Sequence, residues 1–221
     1  MRLRVLLLIA TALSVGSALT AYEPLLNHLT EDEAREGFTL LFDGESLNGW
    51  DGAPGLWRIE EGEIIGSTNG HPIPHNSFLI LDRPYSDFVM RFQVKLRNGN
   101  TGVQFRSRRF PDWVVKGYQA DASDAGDRSA WGNFYEEQGR GRNVMATESE
   151  GWERAKDVVH KGQWNEYEIY AKGDHIRLTL NGKITIDTRD GEASEGVIAV
   201  QLHRGDPMEV WLRSVRIREL R

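Results

Sequence analysis

Three short runs place hydrogen-bonding side chains two residues apart between apolar ones, a spacing that puts them on one face of a β-strand. In Gly102-Val103-Gln104-Phe105-Arg106-Ser107-Arg108, residues Gln104, Arg106 and Arg108 share one side, and Val103 and Phe105 the other. In Val115 to Asp121 the polar pair is Gln119 and Asp121, and in Val197 to His203 it is Gln201 and His203. Brought into one sheet, these residues would form a floor of carboxamides, guanidinium groups, a carboxylate and an imidazole. One face of an antiparallel sheet commonly meets water. Planar, multiply donating groups such as Gln and Arg, however, suit directional recognition of hydroxyls. The implied chemistry is carbohydrate binding, with Gln104, Arg108, Gln119 and Gln201 as contacts. Seven tryptophans add indole faces. Most belong in a core; Trp113 and Trp131, each beside a turn, are the candidates for stacking on a sugar ring. Ordinary glycoside hydrolysis needs two carboxyl groups, which Asp121 with Glu136 or Glu137 can supply.

Other chemistries lack support. The chain has no nucleophile elbow, phosphate-binding glycine loop or HExxH motif. Zero cysteines exclude disulfides and thiolate metal sites. His71 and His75 have a ligand-like spacing, but Pro72 and Pro74 prevent the helix that would align them, so a surface loop is expected. A net charge of -6, with dispersed basic residues, excludes a nucleic-acid footprint.

The elements that must position these residues are strands. From Phe38 onward, short runs of Val, Ile, Phe, Tyr and Trp alternate with Gly, Asn, Asp and Pro. Asn181-Gly182 sits between two alternating runs and predicts a type I′ hairpin; Glu61-Gly62 makes a weaker case for the same. Many regularly spaced strands without long intervening helices predict an all-β sandwich of two antiparallel sheets. Thr30 and Glu33 form a capping-box pattern for a short helix that Gly37 stops. Residues 137–163 read as the longest irregular stretch, and loops this long are often functional.

Arg2 and Arg4, the apolar run from Val5 and the small residues after it have the order of a secretory signal peptide. The expected organisation is a signal peptide at 1–21, a helical lead-in at 22–36 and one β-sandwich domain at 37–221. The expected destination is the periplasm or the exterior. No cysteine is available for lipidation, and no stable membrane span is expected after cleavage.

Beyond composition, Phe38-Thr39-Leu40-Leu41-Phe42-Asp43-Gly44-Glu45-Ser46-Leu47-Asn48-Gly49-Trp50 resembles the opening of the 3-keto-disaccharide hydrolase domain family, formerly a domain of unknown function. Asn100-Thr101-Gly102-Val103, Gly117-Tyr118-Gln119-Ala120-Asp121, Gly162-Gln163-Trp164-Asn165, Leu180-Asn181-Gly182, Gly196-Val197-Ile198 and the closing Val210 to Ile217 continue the likeness in order. Tyr118 departs from it, standing where the family pattern carries an acidic residue. The resemblance implies a concanavalin A-like jelly-roll sandwich acting as a 3-keto-glucoside lyase and 3-keto-2-hydroxy-glucal hydratase, with net hydrolysis as the sum. The C3 ketone acidifies the C2 proton; a base removes it and the enolate expels the C1 substituent. In that scheme Arg106 would stabilise the enolate, Asp121 or His203 would be the base, and Tyr135 or Glu137 the acid. A divalent ion held by Asp121, His203 and Gln119 could polarise the ketone; no cofactor is otherwise implied. The partner is a small carbohydrate. The alternatives are a non-catalytic carbohydrate-binding module on the same fold and a conventional glycoside hydrolase.

Overall fold

The computed structural model describes residues 26–124, 129–140 and 150–221. The expected signal peptide and residues 141–149 of the long irregular stretch lie outside them. Fourteen strands are present among the described residues: β1 Thr39–Leu40, β2 Trp50–Asp51, β3 Trp57–Glu60, β4 Glu63–Ser67, β5 Ser77–Leu81, β6 Phe88–Arg97, β7 Asn100–Phe110, β8 Val114–Ser123, β9 Phe134–Glu137, β10 Asn165–Lys172, β11 His175–Leu180, β12 Lys183–Arg189, β13 Val197–Leu202 and β14 Glu209–Glu219. Two short helices, α1 Glu31–Glu36 and α2 Glu150–Ala155, complete the set.

The strands form two sheets. The eight-stranded sheet runs β12-β11-β10-β6-β14-β4-β3, with β1 also paired to β14, and the six-stranded sheet runs β2-β5-β13-β7-β8-β9. The pairings are antiparallel. This is the two-layer sandwich that the strand-rich text predicts.

Alternation builds the core. Val103, Phe105, Tyr118, Ala120, Ile198 and Val200 turn inward from the six-stranded sheet to meet Met90, Phe92, Val94, Ile169 and Leu212 from the other. Aromatic rings fill its width: Phe92 stacks on Tyr167 at 5.4 Å and Phe105 on Phe134 at 5.8 Å. With no disulfide to constrain the unfolded chain, this burial supplies the driving force, roughly 1.5–3 kcal/mol per large apolar side chain.

Local chemistry fixes the turns. Asn181 and Gly182 have φ of 48° and 80°, the paired positive angles of the predicted hairpin between β11 and β12. Glu61 and Gly62, with φ of 52° and 76°, do the same between β3 and β4. Thr30 caps α1 and Glu33 closes the capping box. The helix α2 falls inside the stretch read as irregular, a correction: its segment EGWERA has glycine in its first turn, which weakens the helical signal.

A second correction concerns β7. The register between β7 and β8 shifts between Phe105 and Arg108, and Arg106 has a φ of 47°. This bulge ends the alternation that would keep Gln104, Arg106 and Arg108 on one side. Beyond it, the β7–β8 hairpin reaches toward the edge of the six-stranded sheet: the Phe78 amide donates to the Trp113 carbonyl at 3.0 Å. The Trp113 indole nitrogen donates to Asp51 at 2.9 Å.

Candidate functional site

The outer face of the six-stranded sheet carries the candidate site. Gln104 stands opposite Gln119 across β7 and β8, and Gln119 opposite Tyr135 across β8 and β9. Asp121 and Glu137 each lie two residues along and therefore share that face. On the other flank Ala199 of β13 stands opposite Gln104, so Gln201 joins the same side. Gln104, Gln119, Asp121, Glu137 and Gln201 are all buried.

A chain of carboxamides runs across this face. Gln104 Nε2 donates to Gln119 Oε1 at 3.0 Å, and Gln119 Nε2 donates to Asp121 Oδ1 at 2.7 Å. Gly102 makes the second contact possible. A Cβ there would fall 2.5 Å from Gln119 Cγ, so the bare backbone lets the glutamine side chain lie across it. Asp121 is pushed up to about 8, mainly by burial; the Gln119 bond opposes the rise and the nearby Glu137 charge adds to it. Burial, with the charges of Glu137 and Asp121, also pushes the Tyr135 phenol up. Two carboxyls and a phenol thus influence one another in a site shielded from water.

Glu137 has its own anchor. Asn76, immediately before β5, donates from Nδ2 to Glu137 Oε1 at 3.0 Å while its Oδ1 accepts the Arg204 amide at 2.9 Å. The backbone N–H can only donate, so it fixes the orientation of the carboxamide and points the amide at Glu137. Sequence reasoning missed Asn76 because it belongs to no strand. The available signal was an Asn-Ser pair abutting the wholly buried run Ser77–Leu81.

The structure therefore assembles Gln104, Gln119, Gln201, Asp121, Tyr135 and Glu137 on one face. His203 sits half-buried at the end of β13, its Nδ1 2.6 Å from the Arg204 carbonyl oxygen, on the turn that Asn76 holds. Glu136 has the opposite parity from Glu137, stands opposite Tyr118 and pairs with Arg140; Tyr118 itself is a core residue whose hydroxyl bonds Asp190.

Four expected contacts lie elsewhere. Arg106, 1 % exposed, turns away and donates to the carbonyl oxygens of Ser86 at 2.7 Å, Gly173 at 2.7 Å and Ala193 at 3.3 Å, and to Asp87 at 2.9 Å. Its guanidinium ties the end of the sandwich together rather than facing Asp121. Arg108 is exposed on the hairpin beyond the bulge. Trp131 is fully buried, stacked on Tyr167 and bonded through its indole nitrogen to Asp124. Trp113 is half-buried and packs on Phe78, Ile80, Val115 and Ala199, so its ring covers the neighbouring apolar part of the face.

The suggested metal ligands do not form a cation site. Among the described residues no three His, Asp or Glu side chains converge, and the Gln119 oxygen is engaged by Gln104 while its amide faces Asp121.

Comparison with known proteins bears on this arrangement. The model of the 3-keto-alpha-glucoside-1,2-lyase-like domain family matches residues 37–218. A Bacteroides thetaiotaomicron protein named 3-keto-disaccharide hydrolase is 23 % identical over 257 aligned positions, covering 95 % of this chain and 87 % of its own length. A candidate glycosyl hydrolase from Parabacteroides distasonis has a solved structure that superposes with a TM-score of 0.67 at 21 % identity, over 89 % of this chain and 100 % of that one. The carbohydrate-binding module CBM66 from Bacillus subtilis superposes at 0.54 and 19 % identity, over 74 % and 91 %. At these identities the structural likenesses speak for the fold: two antiparallel sheets of concanavalin-like type.

Proposed function

The chain belongs to the family of 3-keto-α-glucoside-1,2-lyase-like domains, and from that premise we propose that it cleaves 3-keto-glycosides with Glu137 as the base at C2 and Asp121 as the acid at the leaving group. The observation that carries this reading is the pair itself. Two carboxyl groups share a buried face, and the environment loads the proton on Asp121, held up to about 8, while the Asn76 amide donates to Glu137. The protonated carboxyl suits the acid, and the second carboxyl on the same face, fixed by Asn76, is placed to serve as the base.

The steps balance. Glu137 removes the C2 proton, and the electron pair of that bond moves onto the C3 ketone oxygen as an enolate. Collapse of the enolate breaks the C1–O bond, and the departing oxygen takes the Asp121 proton. A 2-hydroxy-3-keto-glucal and a free alcohol or sugar result. Asp121, now ionised, takes a proton from water as the hydroxide adds to C1, and Glu137, having exchanged its proton with solvent while the glucal is bound, protonates C2. One water is consumed, the sum is hydrolysis, and no covalent glycosyl intermediate forms. Burial strengthens each of these transfers by excluding bulk water. Tyr135, electrostatically coupled to both carboxyls, stands ready to orient the leaving oxygen.

The reading includes an exported protein working on a small carbohydrate, supported by the basic, apolar and small-residue order of its first 21 residues. Among the described residues no helix is long and apolar enough to cross a membrane.

Reaction in D₂O tests the chemistry. A 3-keto-disaccharide should be split with deuterium appearing at C2 of the released keto sugar by NMR, and the enone should be visible by its ultraviolet absorbance during turnover. Cleavage without C2 label would remove the proton-abstraction step. Binding without cleavage would favour a non-catalytic module.

A further inference from the structure

Buried polar atoms without partners are uncommon in folded proteins, because each forfeits its bond to water. Gln104 and Gln201 are both 0 % exposed, yet Gln104 Oε1 and both Gln201 Oε1 and Gln201 Nε2 lack a hydrogen-bond partner. The two side chains sit on adjacent strands of the site face. Ala199 is opposite Gln104, and Gln201 lies two residues further on. That makes Gln104 and Gln201 diagonal neighbours, about 7–8 Å apart by sheet geometry. The unpaired set is therefore two acceptor atoms and one donor atom, on the face that carries Asp121 and Glu137.

The polarity of Gln104 is not free. Gln119 directs its amide to Asp121, so its oxygen accepts from Gln104 Nε2, and the unpaired Gln104 atom is its oxygen, an acceptor. A group that satisfies it must donate, as a hydroxyl does and a ketone cannot. Gln201 has no such constraint and offers one acceptor beside one donor. Its donor is what a ketone oxygen requires.

We propose that Gln201 and Gln104 read a hydroxyl–ketone–hydroxyl edge of the sugar: Gln201 Nε2 donates to the ketone oxygen, Gln201 Oε1 accepts one flanking hydroxyl, and Gln104 Oε1 accepts the other. The assignment rests on the catalytic reading above, since it places the ketone of a 3-keto sugar between its C2 and C4 hydroxyls. It gives the enolate oxygen an uncharged amide donor in the position that Arg106, bound elsewhere, does not fill. It also links the substrate to the acid, because a hydroxyl donating to Gln104 completes a relay through Gln119 to Asp121. A further unpaired acceptor, Asn100 Oδ1, shares the β7 face but lies four residues from Gln104, about 13 Å along an extended strand and outside a single ketone-centred edge.

The test uses the whole chain and 3-keto C-methyl glucosides, whose unactivated alkyl carbanion is too poor a leaving group to be eliminated, so that binding is measured without turnover. Calorimetry compares the ketone ligand, its unoxidised parent and the 2-deoxy and 4-deoxy ketones, for wild type, Gln201→Met and Gln104→Met. Methionine keeps the volume and removes the polar atoms. Gln201→Met should weaken the ketone ligand about ten- to hundredfold and the parent less. Gln104→Met should weaken the full ketone similarly, yet cause no further loss for one of the two deoxy ketones. Ligand-free Gln201→Met should melt no lower than wild type, because no bond within the protein is lost. An unchanged preference for the ketone, additive losses with both deoxy ligands, or a markedly lower melting temperature for Gln201→Met would each overturn the assignment. Those outcomes leave catalysis standing if wild type still splits 3-keto-O-glycosides. A ketone preference in wild type with no such cleavage would sink the catalytic reading alone.

Discussion

The outer face of the eight-stranded sheet carries Arg91, Arg213 and Arg216 among Glu33, Glu63, Glu166 and Glu168; the outer face of the six-stranded sheet carries Gln104, Gln119, Gln201, Asp121 and Glu137. On the first, each named charge meets its opposite. Arg216 bonds Glu33 at 2.6 Å and Glu166 at 2.8 Å, Arg91 bonds Glu168 at 2.8 Å, and Arg213 reaches Glu63 at 3.2 Å. Burial pushes the Glu33 carboxyl up, but bonds from Arg216, the Thr30 amide and Arg91 together outweigh it and hold the group below its ordinary value. On the second face, burial wins at Asp121, and several amide atoms go unpaired. Both faces alternate polar with apolar residues, so alternation alone does not distinguish a site from a solvated surface. What distinguishes them is what goes unpaired: on the first face Arg177 and Arg218 each leave a buried Nε unbonded but reach Glu168 and Glu36 through their terminal nitrogens, whereas on the second both polar atoms of the Gln201 carboxamide have no partner.

The sharpest way to break the contrast is Asp121→Asn. If Asp121 is the acid, the loss of kcat should be about 10³-fold, within the range of general acid–base contributions, and the alkaline fall of the wild-type profile near pH 8 should disappear. The sign for stability runs the other way from a salt-bridged carboxylate. A raised pKa means the folded state holds a proton that the unfolded state releases above about 4, so Asp121 costs stability progressively as pH rises toward 8. The asparagine variant should therefore gain thermal stability relative to wild type progressively between about pH 4 and pH 8, and curves that run parallel across that window would show that Asp121 is not so perturbed. Next, Arg106→Met should cost about 3 kcal/mol in urea unfolding, since it strips four acceptors of a buried cation. The molecules that remain folded should keep the wild-type pH profile; a selective loss of kcat would return Arg106 to the site. Gly102→Ala should displace Gln119 and lower kcat/KM about tenfold with little change in melting temperature. The smallest effect belongs to the satisfied face. Glu63→Gln should change stability by under about 1 kcal/mol and leave activity unaltered.

The sequence legibility of the two faces follows the same physics. Gln104, Gln119, Asp121 and Gln201 were readable because period-two alternation holds wherever the ladder is regular. Arg106 and Arg108 were not, since the bulge is a backbone event at φ 47° that an arginine does not advertise. Asn76 lies 61 residues from Glu137 and meets it only when the sheet is built; no local pattern encodes such a contact. Trp131 sits beside a turn in the chain but beneath Tyr167 in space. The Asn181-Gly182 and Glu61-Gly62 turns were legible because positive φ is a strictly local demand. Which carboxyl keeps a proton was not, because desolvation depends on everything packed around it.

Arg106, which turns away from the outer face of the six-stranded sheet, carries a consequence for how the chain folds. Its partners Ser86, Asp87, Gly173 and Ala193 lie 20, 19, 67 and 87 residues away in the chain. An unpaired guanidinium in that position would be intolerable in a half-assembled sandwich, so the two layers gain nothing there by partial docking. Satisfaction arrives only when segments of widely different separation close together, which places the cation's reward late on the folding path. Folding kinetics should register this as an Arg106→Met variant that chiefly accelerates unfolding while refolding at close to the wild-type rate.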